Sequence, residues 1–143
     1  MNSPHVPAEL RRYVLNTAGG RCAYCRSAEA LMGVTFEVEH IISRSAGGET
    51  KADNLCLSCP PCNRHKAARL TVLNPESGEE VPLYHPNYQV WSDHFAWSED
   101  STQVVGLTAV GRATIIALRM NRHQIVQLRR YWVALGLHPP GRD

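Results

Sequence analysis

Two Cys-x-x-Cys pairs, Cys22/Cys25 and Cys59/Cys62, bracket residues 26–58 in a chain of 143 residues. A two-residue spacer lets both sulfurs of a turn reach one ion, and four thiolates satisfy tetrahedral zinc. The pattern predicts a structural zinc held by Cys22, Cys25, Cys59 and Cys62. Four thiols buried in an apolar core would not explain why Cys59 and Cys62 flank Pro60-Pro61 at a turn. Redox use is disfavoured, because neither pair opens a thioredoxin-like βαβ pattern. A four-cysteine site is closed, so this zinc does no chemistry itself. The fifth cysteine, Cys56, could substitute as a ligand in a Cys56-x-x-Cys59 pair, but it falls within a predicted strand and is preferred as a buried free thiol.

The bracketed segment has a clear order. Residues 7–18 read as a helix, with Pro7 in its first turn and Gly19-Gly20 at its end. Residues 35–39 alternate and are β-rich, residues 45–49 form a loop by their glycines, and residues 54–57 form a second short strand. A helix is predicted over about 62–70. Beyond it, residues 73–88 hold Pro75, Gly78, Pro82 and Pro86 and read as irregular chain. Residues 95–98 and 103–107 are expected to pair as a hairpin around Asp100-Ser101. Helices follow over about 109–120 and 122–135, with Asn121 as cap of the second and Gly136 closing it. Ile125, Leu128, Trp132 and Leu135 share one apolar stripe of that helix. The expected division is residues 1–72 as a zinc-stapled core with its N-terminal helix, and residues 73–143 as an extension packed on the same domain.

Net charge is only +2, but its distribution is uneven. Residues 74–102 carry six acids and no Lys or Arg, whereas residues 103–142 carry Arg112, Arg119, Arg122, Arg129, Arg130 and Arg142 and no acid. Such blocks can mark a polyanion-binding face or simply solvated helix faces. Arg122, Arg129 and Arg130 form a candidate backbone-contacting stripe, and the acidic segment a candidate cover for a basic cleft. No apolar run is long enough to span a membrane and the N-terminus has no apolar signal region, so the expected location is the cytoplasm.

Inside the bracket lie Glu39-His40, Asn54 and Asn63-Arg64-His65-Lys66. Phosphodiester hydrolysis needs a base to activate water and a cation to neutralise developing charge. Histidine suits the first role because it titrates near neutrality. A carboxylate with a neutral amide oxygen suits a hard cation such as Mg²⁺. In a regular strand, however, Glu39 and His40 point to opposite faces, so pairing is expected to break near them.

The run Cys22-Ala23-Tyr24-Cys25, Val38-Glu39-His40-Ile41-Ile42-Ser43-Arg44-Ser45-Ala46-Gly47-Gly48, Asp53-Asn54-Leu55 and Cys59-Pro60-Pro61-Cys62-Asn63-Arg64-His65-Lys66 resembles the zinc-bearing HNH (ββα-metal) endonuclease family. The resemblance covers about residues 20–70. It implies an α+β fold: a ββα-metal core with flanking helices and a small C-terminal extension of a hairpin and helices. It implies His40 as general base, Glu39 and Asn63 as ligands of a catalytic Mg²⁺ or other divalent cation, and Asn54 as the residue that bonds backbone across the loop and orients His40. Glu39 stands where aspartate is common, and Ser43 where proline is frequent. Arg44, Arg64, His65, Lys66 and Arg69 are candidate phosphate contacts, against the plainer reading of a solvated helix face.

The implied activity is metal-dependent hydrolysis of DNA, leaving 5′-phosphate and 3′-hydroxyl ends, with RNA also open as substrate. Two other readings stand beside it: a non-catalytic zinc module that binds nucleic acid or protein, and a nuclease toxin or effector domain. A pure binder does not need Glu39, His40, Asn54 and Asn63 together.

Overall fold

The computed structural model describes residues 6–141. The chain is α+β. Among the described residues, six α-helices accompany six short strands paired into three two-stranded antiparallel sheets. It divides into two compact units. One runs to Leu70 and takes in His85–Val90; the other comprises Thr71–Tyr84 and the chain from Trp91 on.

In the first unit, helix α1 (Ala8–Ala18) ends where Gly19 turns left-handed at φ 62°. It buries Val14 and lies against strands β1 (Glu37–His40) and β2 (Leu55–Ser58). Between them a single helical turn, α2 (Glu29–Met32), has no periodic signature in the sequence. Its Glu29 Oε2 accepts from Phe36 N at 2.7 Å and fixes the approach to β1. β1 and β2 run antiparallel, pairing Glu37 with Ser58, Val38 with Leu57, Glu39 with Cys56 and His40 with Leu55. Val38, Leu55 and Leu57 are buried along the ladder.

Helix α3 (Pro60–Lys66) begins on its two prolines, whose missing N–H groups would have had no intrahelical partner there. It starts earlier and ends sooner than the predicted 62–70. The last helical bond runs from Ala67 N to Asn63 O at 3.0 Å, and Ala67 then leaves helical geometry at φ 51° and ψ −132°, which ends the helix after two turns. The segment His85–Val90 fastens to the start of β2. Asn87 Nδ2 donates to the carbonyls of Ala52, Asp53 and Leu55 at 3.3, 3.0 and 3.0 Å.

The second unit holds strand β3 (Thr71–Leu73) and strand β4 (Glu80–Pro82), a hairpin where the prolines predicted irregular chain. Pro75 and Gly78 lie in the connecting turn, and Pro82 sits at the strand's end, where it breaks no interior ladder. A short helix α4 (Trp91–His94) leads into strands β5 (Phe95–Trp97) and β6 (Val104–Gly106), which pair around the turn at Asp100-Ser101. Helix α5 (Ala109–Ala117) is capped by Thr108, whose Oγ1 accepts from Gly111 N at 3.0 Å.

Helix α6 (His123–Ala134) departs from expectation at three positions. Asn121 is not its cap: the amide instead bonds Val104 N and O at 2.8 and 2.9 Å, tying the loop to β6. Leu135 is 71% exposed, so the apolar stripe ends at Trp132. Arg129 is fully buried. Its guanidinium donates to Thr102 O, Asn121 Oδ1 and Met120 O at 2.9, 3.1 and 2.7 Å and lies 5.3 Å from the Trp97 ring centre. It therefore does not belong to a phosphate-contacting stripe with Arg122 and Arg130. Arg142, the last of that basic series, lies outside the described residues.

Candidate metal centres and catalytic cleft

The knuckle that carries Cys22 and Cys25 is closed by its own backbone. Cys22 N bonds Ser27 O at 2.9 Å and Arg26 N bonds Cys22 O at 3.0 Å. Arg26, directly after the pair, adopts φ 65° and turns the chain back there. Ala23 N donates to Leu57 O at 2.8 Å, which pins this knuckle to β2. Cys59 is the N-cap of α3 and Cys62 lies on its first turn, and the helix follows directly from the same strand.

All four sulfurs are buried and lie within 4.8 Å of one another. Cys25 Sγ and Cys59 Sγ are 3.8 Å apart, which is close to the sulfur–sulfur edge of a tetrahedron with zinc–sulfur bonds of about 2.3 Å. Burial pushes the Cys22 thiol well up, while contacts from Cys22, Cys59 and Cys62 pull Cys25 well down. Four sulfurs this close cannot all shed their protons unless a cation sits among them. The donor set, the spacing and the burial all fit a four-coordinate ion such as zinc. Cys56 stands outside the cluster, buried, with its sulfur 3.9 Å from Tyr24 OH; burial raises its thiol well above the ordinary range.

Beside this centre opens a cleft of about 1300 Å³. Glu37, Glu39 and His40 of β1 and Asn63 of α3 line it, with Arg44 and Arg64 also on its wall. The ladder is regular through His40, where the strand ends, and Ile41 N still bonds Asn54 O at 2.8 Å. The cleft thus receives two adjacent residues of one strand without a bulge between them.

Glu39 is 5% exposed, and its carboxylate is enclosed by the fold with the Ser58 hydroxyl and the Lys66 ammonium as polar neighbours. Lys66 Nζ, 3.3 Å from Oε2, is the nearby positive charge. Desolvation raises the carboxyl above its usual range, with Lys66 opposing. A buried carboxylate that shares a cleft with an amide side chain is a donor set that fits a hard divalent cation. Lys66, grouped by sequence with the phosphate contacts, is only 2% exposed and its ammonium serves Glu39 and His40 O from inside the fold.

His40 Nε2 is 2.8 Å from Thr50 Oγ1. Partial burial, with the charges of Arg44 and Lys66, lowers its pKa below the ordinary imidazole value, which favours the neutral form. Asn54 is buried below the same loop. Its Oδ1 accepts from Ile42 N at 2.9 Å, and its Nδ2 donates to Ile42 O at 3.0 Å and Glu49 O at 2.8 Å. These bonds fix both ends of the loop that brings Thr50 to His40.

Asn63 does not bond Glu39. Its Nδ2 donates to Glu37 Oε1 at 2.7 Å. Sequence reasoning passed over Glu37, although the two-residue period of a strand puts it on the same face as Glu39. Thr50 was also passed over, since nothing in the sequence links it to His40. Among the other proposed contacts, Arg64 and Arg69 are exposed and His65 is half-buried; the Arg69 guanidinium bonds the carbonyls of His65 and Lys66. Among the described residues, no helix is long and apolar enough to cross a membrane.

No curated protein and no solved structure matches this chain. Residues 22–69, about a third of the chain, match the model of the HNH endonuclease family.

Proposed function

We propose that the chain is a divalent-cation-dependent endonuclease that hydrolyses phosphodiester bonds of DNA. The observation that carries this reading is the single cleft lined by Glu39, His40 and Asn63, which brings a buried carboxylate, an imidazole and an amide side chain to one place. Glu39 and Asn63 would hold the catalytic cation, and Cys22, Cys25, Cys59 and Cys62 a structural zinc. When bound, the catalytic cation supplies positive charge for the phosphate and the departing oxygen.

The remaining steps fall to the chain's own groups. His40 takes a proton from water as its oxygen forms a bond to phosphorus, and the bond from phosphorus to the 3′-oxygen breaks. The departing 3′-oxygen takes up a proton from solvent water and ends as a 3′-hydroxyl, and the phosphate stays on the 5′ side. Thr50 and the loop held by Asn54 fix the ring of His40. Arg44 and Arg64 supply positive charge for the backbone of the substrate.

The reading is tested by incubating supercoiled plasmid and a matched RNA with the zinc-loaded protein and Mg²⁺ or Mn²⁺. The expected result is cation-dependent nicking or cutting of DNA with 5′-phosphate ends. Binding of DNA without cleavage under any divalent cation would leave a zinc-stabilised binding module instead. Cleavage of RNA alone would change the substrate class.

A further inference from the structure

Asn63 offers a cation one oxygen only if its amide is turned the right way. The two ends of that amide differ: the nitrogen donates and the oxygen accepts. A carboxylate accepts and does not donate, so the 2.7 Å contact to Glu37 Oε1 must use Asn63 Nδ2. Turning the amide over would set two oxygens against each other. The backbone of Asn63 is also fixed, since its N–H bonds Cys59 O at 3.0 Å within the helix anchored by the sulfur cluster. Glu37 is held in turn by its pairing with Ser58, next to Cys59. Both partners line the cleft.

We infer that Glu37 is a positioning residue for the catalytic cation: by accepting from Asn63 Nδ2, it commits Asn63 Oδ1 to the ion. The inference rests on the reading of Asn63 as a ligand given above. Partners of this kind orient the groups that touch a metal, and removing one typically weakens metal affinity about 10- to 100-fold. Glu37 acts through its acceptor oxygen and not through its charge. A glutamine, which keeps an acceptor oxygen, therefore retains most of the effect.

The test is calorimetric titration of Mn²⁺ into the full zinc-loaded chain, with zinc content and circular dichroism as checks on folding. Glu37→Leu is expected to weaken Mn²⁺ binding about tenfold or more, and Glu37→Gln by less than about threefold. In an Asn63→Asp background both side-chain oxygens accept, no orientation is needed, and the loss caused by Glu37→Leu should largely vanish. A glutamine variant as weak as the leucine variant would overturn the inference in favour of charge or direct ligation. So would a leucine loss undiminished beside Asp at position 63. If Glu37→Leu does not retain zinc, Glu37→Ala takes its place in the same comparisons. Asn63→Ala separates the two levels of the argument. If it binds Mn²⁺ as tightly as the parent, the ligand reading itself fails; if it binds weakly while Glu37→Leu binds normally, only the role of Glu37 fails.

Discussion

Asn54 grips Ile42 from both sides, its Oδ1 accepting from Ile42 N at 2.9 Å and its Nδ2 donating to Ile42 O at 3.0 Å. A third bond, to Glu49 O at 2.8 Å, spans the loop. Asn54 is buried, so replacing it leaves backbone groups of this loop without partners. Asn54→Ala is expected to cost about 2 to 4 kcal/mol, read by denaturant unfolding at saturating zinc. Asn54→Asp should be no milder, because a carboxylate cannot donate to the two carbonyls. A loss below about 0.5 kcal/mol would show that the loop does not depend on this side chain.

Gly48 makes the same loop possible for a steric reason. A Cβ built there would lie 1.8 Å from Ile42 O and 2.8 Å from Asn54 Nδ2. The first contact is to backbone and cannot be relieved by a rotamer change. Gly48→Ala should destabilise the first unit by about 1 to 3 kcal/mol and lower cleavage by displacing Thr50 from His40. Denaturation and a cleavage rate for the same variant check both effects; unchanged values for both would contradict the packing described.

The sulfur cluster predicts a selective result. Cys59→Ser should lose the bound zinc and most of the cooperative melting of the first unit, because the ion's binding energy is folding energy. Cys56→Ser should retain one zinc per chain, since Cys56 lies outside the four-sulfur cluster. Metal analysis and thermal melting distinguish the two. Loss of zinc from the Cys56 variant would mean a different ligand set.

The turn at Asp100 gives a pH signature. Thr102 donates to its Oδ1 from both side chain and backbone, and Ser98 donates from its hydroxyl, so the carboxyl titrates below its ordinary value of 3.8. A carboxyl depressed by folding stabilises the fold above its unfolded value, and the effect is lost as pH falls through the folded value. The parent should therefore exceed Asp100→Asn in stability near neutrality, with the gap closing in strong acid. A gap that widens on acidification would contradict the hydrogen-bonded carboxylate.

Arg129 predicts a variant that damages structure and not substrate binding. It is buried and bonds two backbone carbonyls and Asn121. Arg129→Met should destabilise the second unit by about 2 to 4 kcal/mol, seen by hydrogen exchange around residues 102 and 120. The salt dependence of DNA binding should not change, because no phosphate contact is lost. A reduced salt slope would return Arg129 to the binding surface.

The legibility of the sequence differed between the two units for physical reasons. The cysteine pairs and the strand, loop, strand and helix between them are local patterns, and each is tied to a turn or a metal knuckle. The hairpin of β3 and β4 is hard to see in the sequence because Pro75, Gly78 and Pro82 are residues that break regular structure, although two of them sit in its turn and one at its end. Arg129 lies four residues after Ile125 and three before Trp132, so helical spacing already put it on the buried face. Its charge hid that placement, since the backbone carbonyls that satisfy it come from distant sequence. Glu37 had a signal of the same kind in the strand period, whereas its partner on α3 emerged only with the fold.

The central claim is that His40 supplies the base in a cleft whose cation is held by other residues. The most direct measurement is the single-turnover DNA cleavage rate of the parent and His40→Ala, with Mn²⁺ affinity determined for both. The account predicts a rate lowered about 10²- to 10⁴-fold with cation binding little changed. Cleavage at the parent rate by the alanine variant would contradict it.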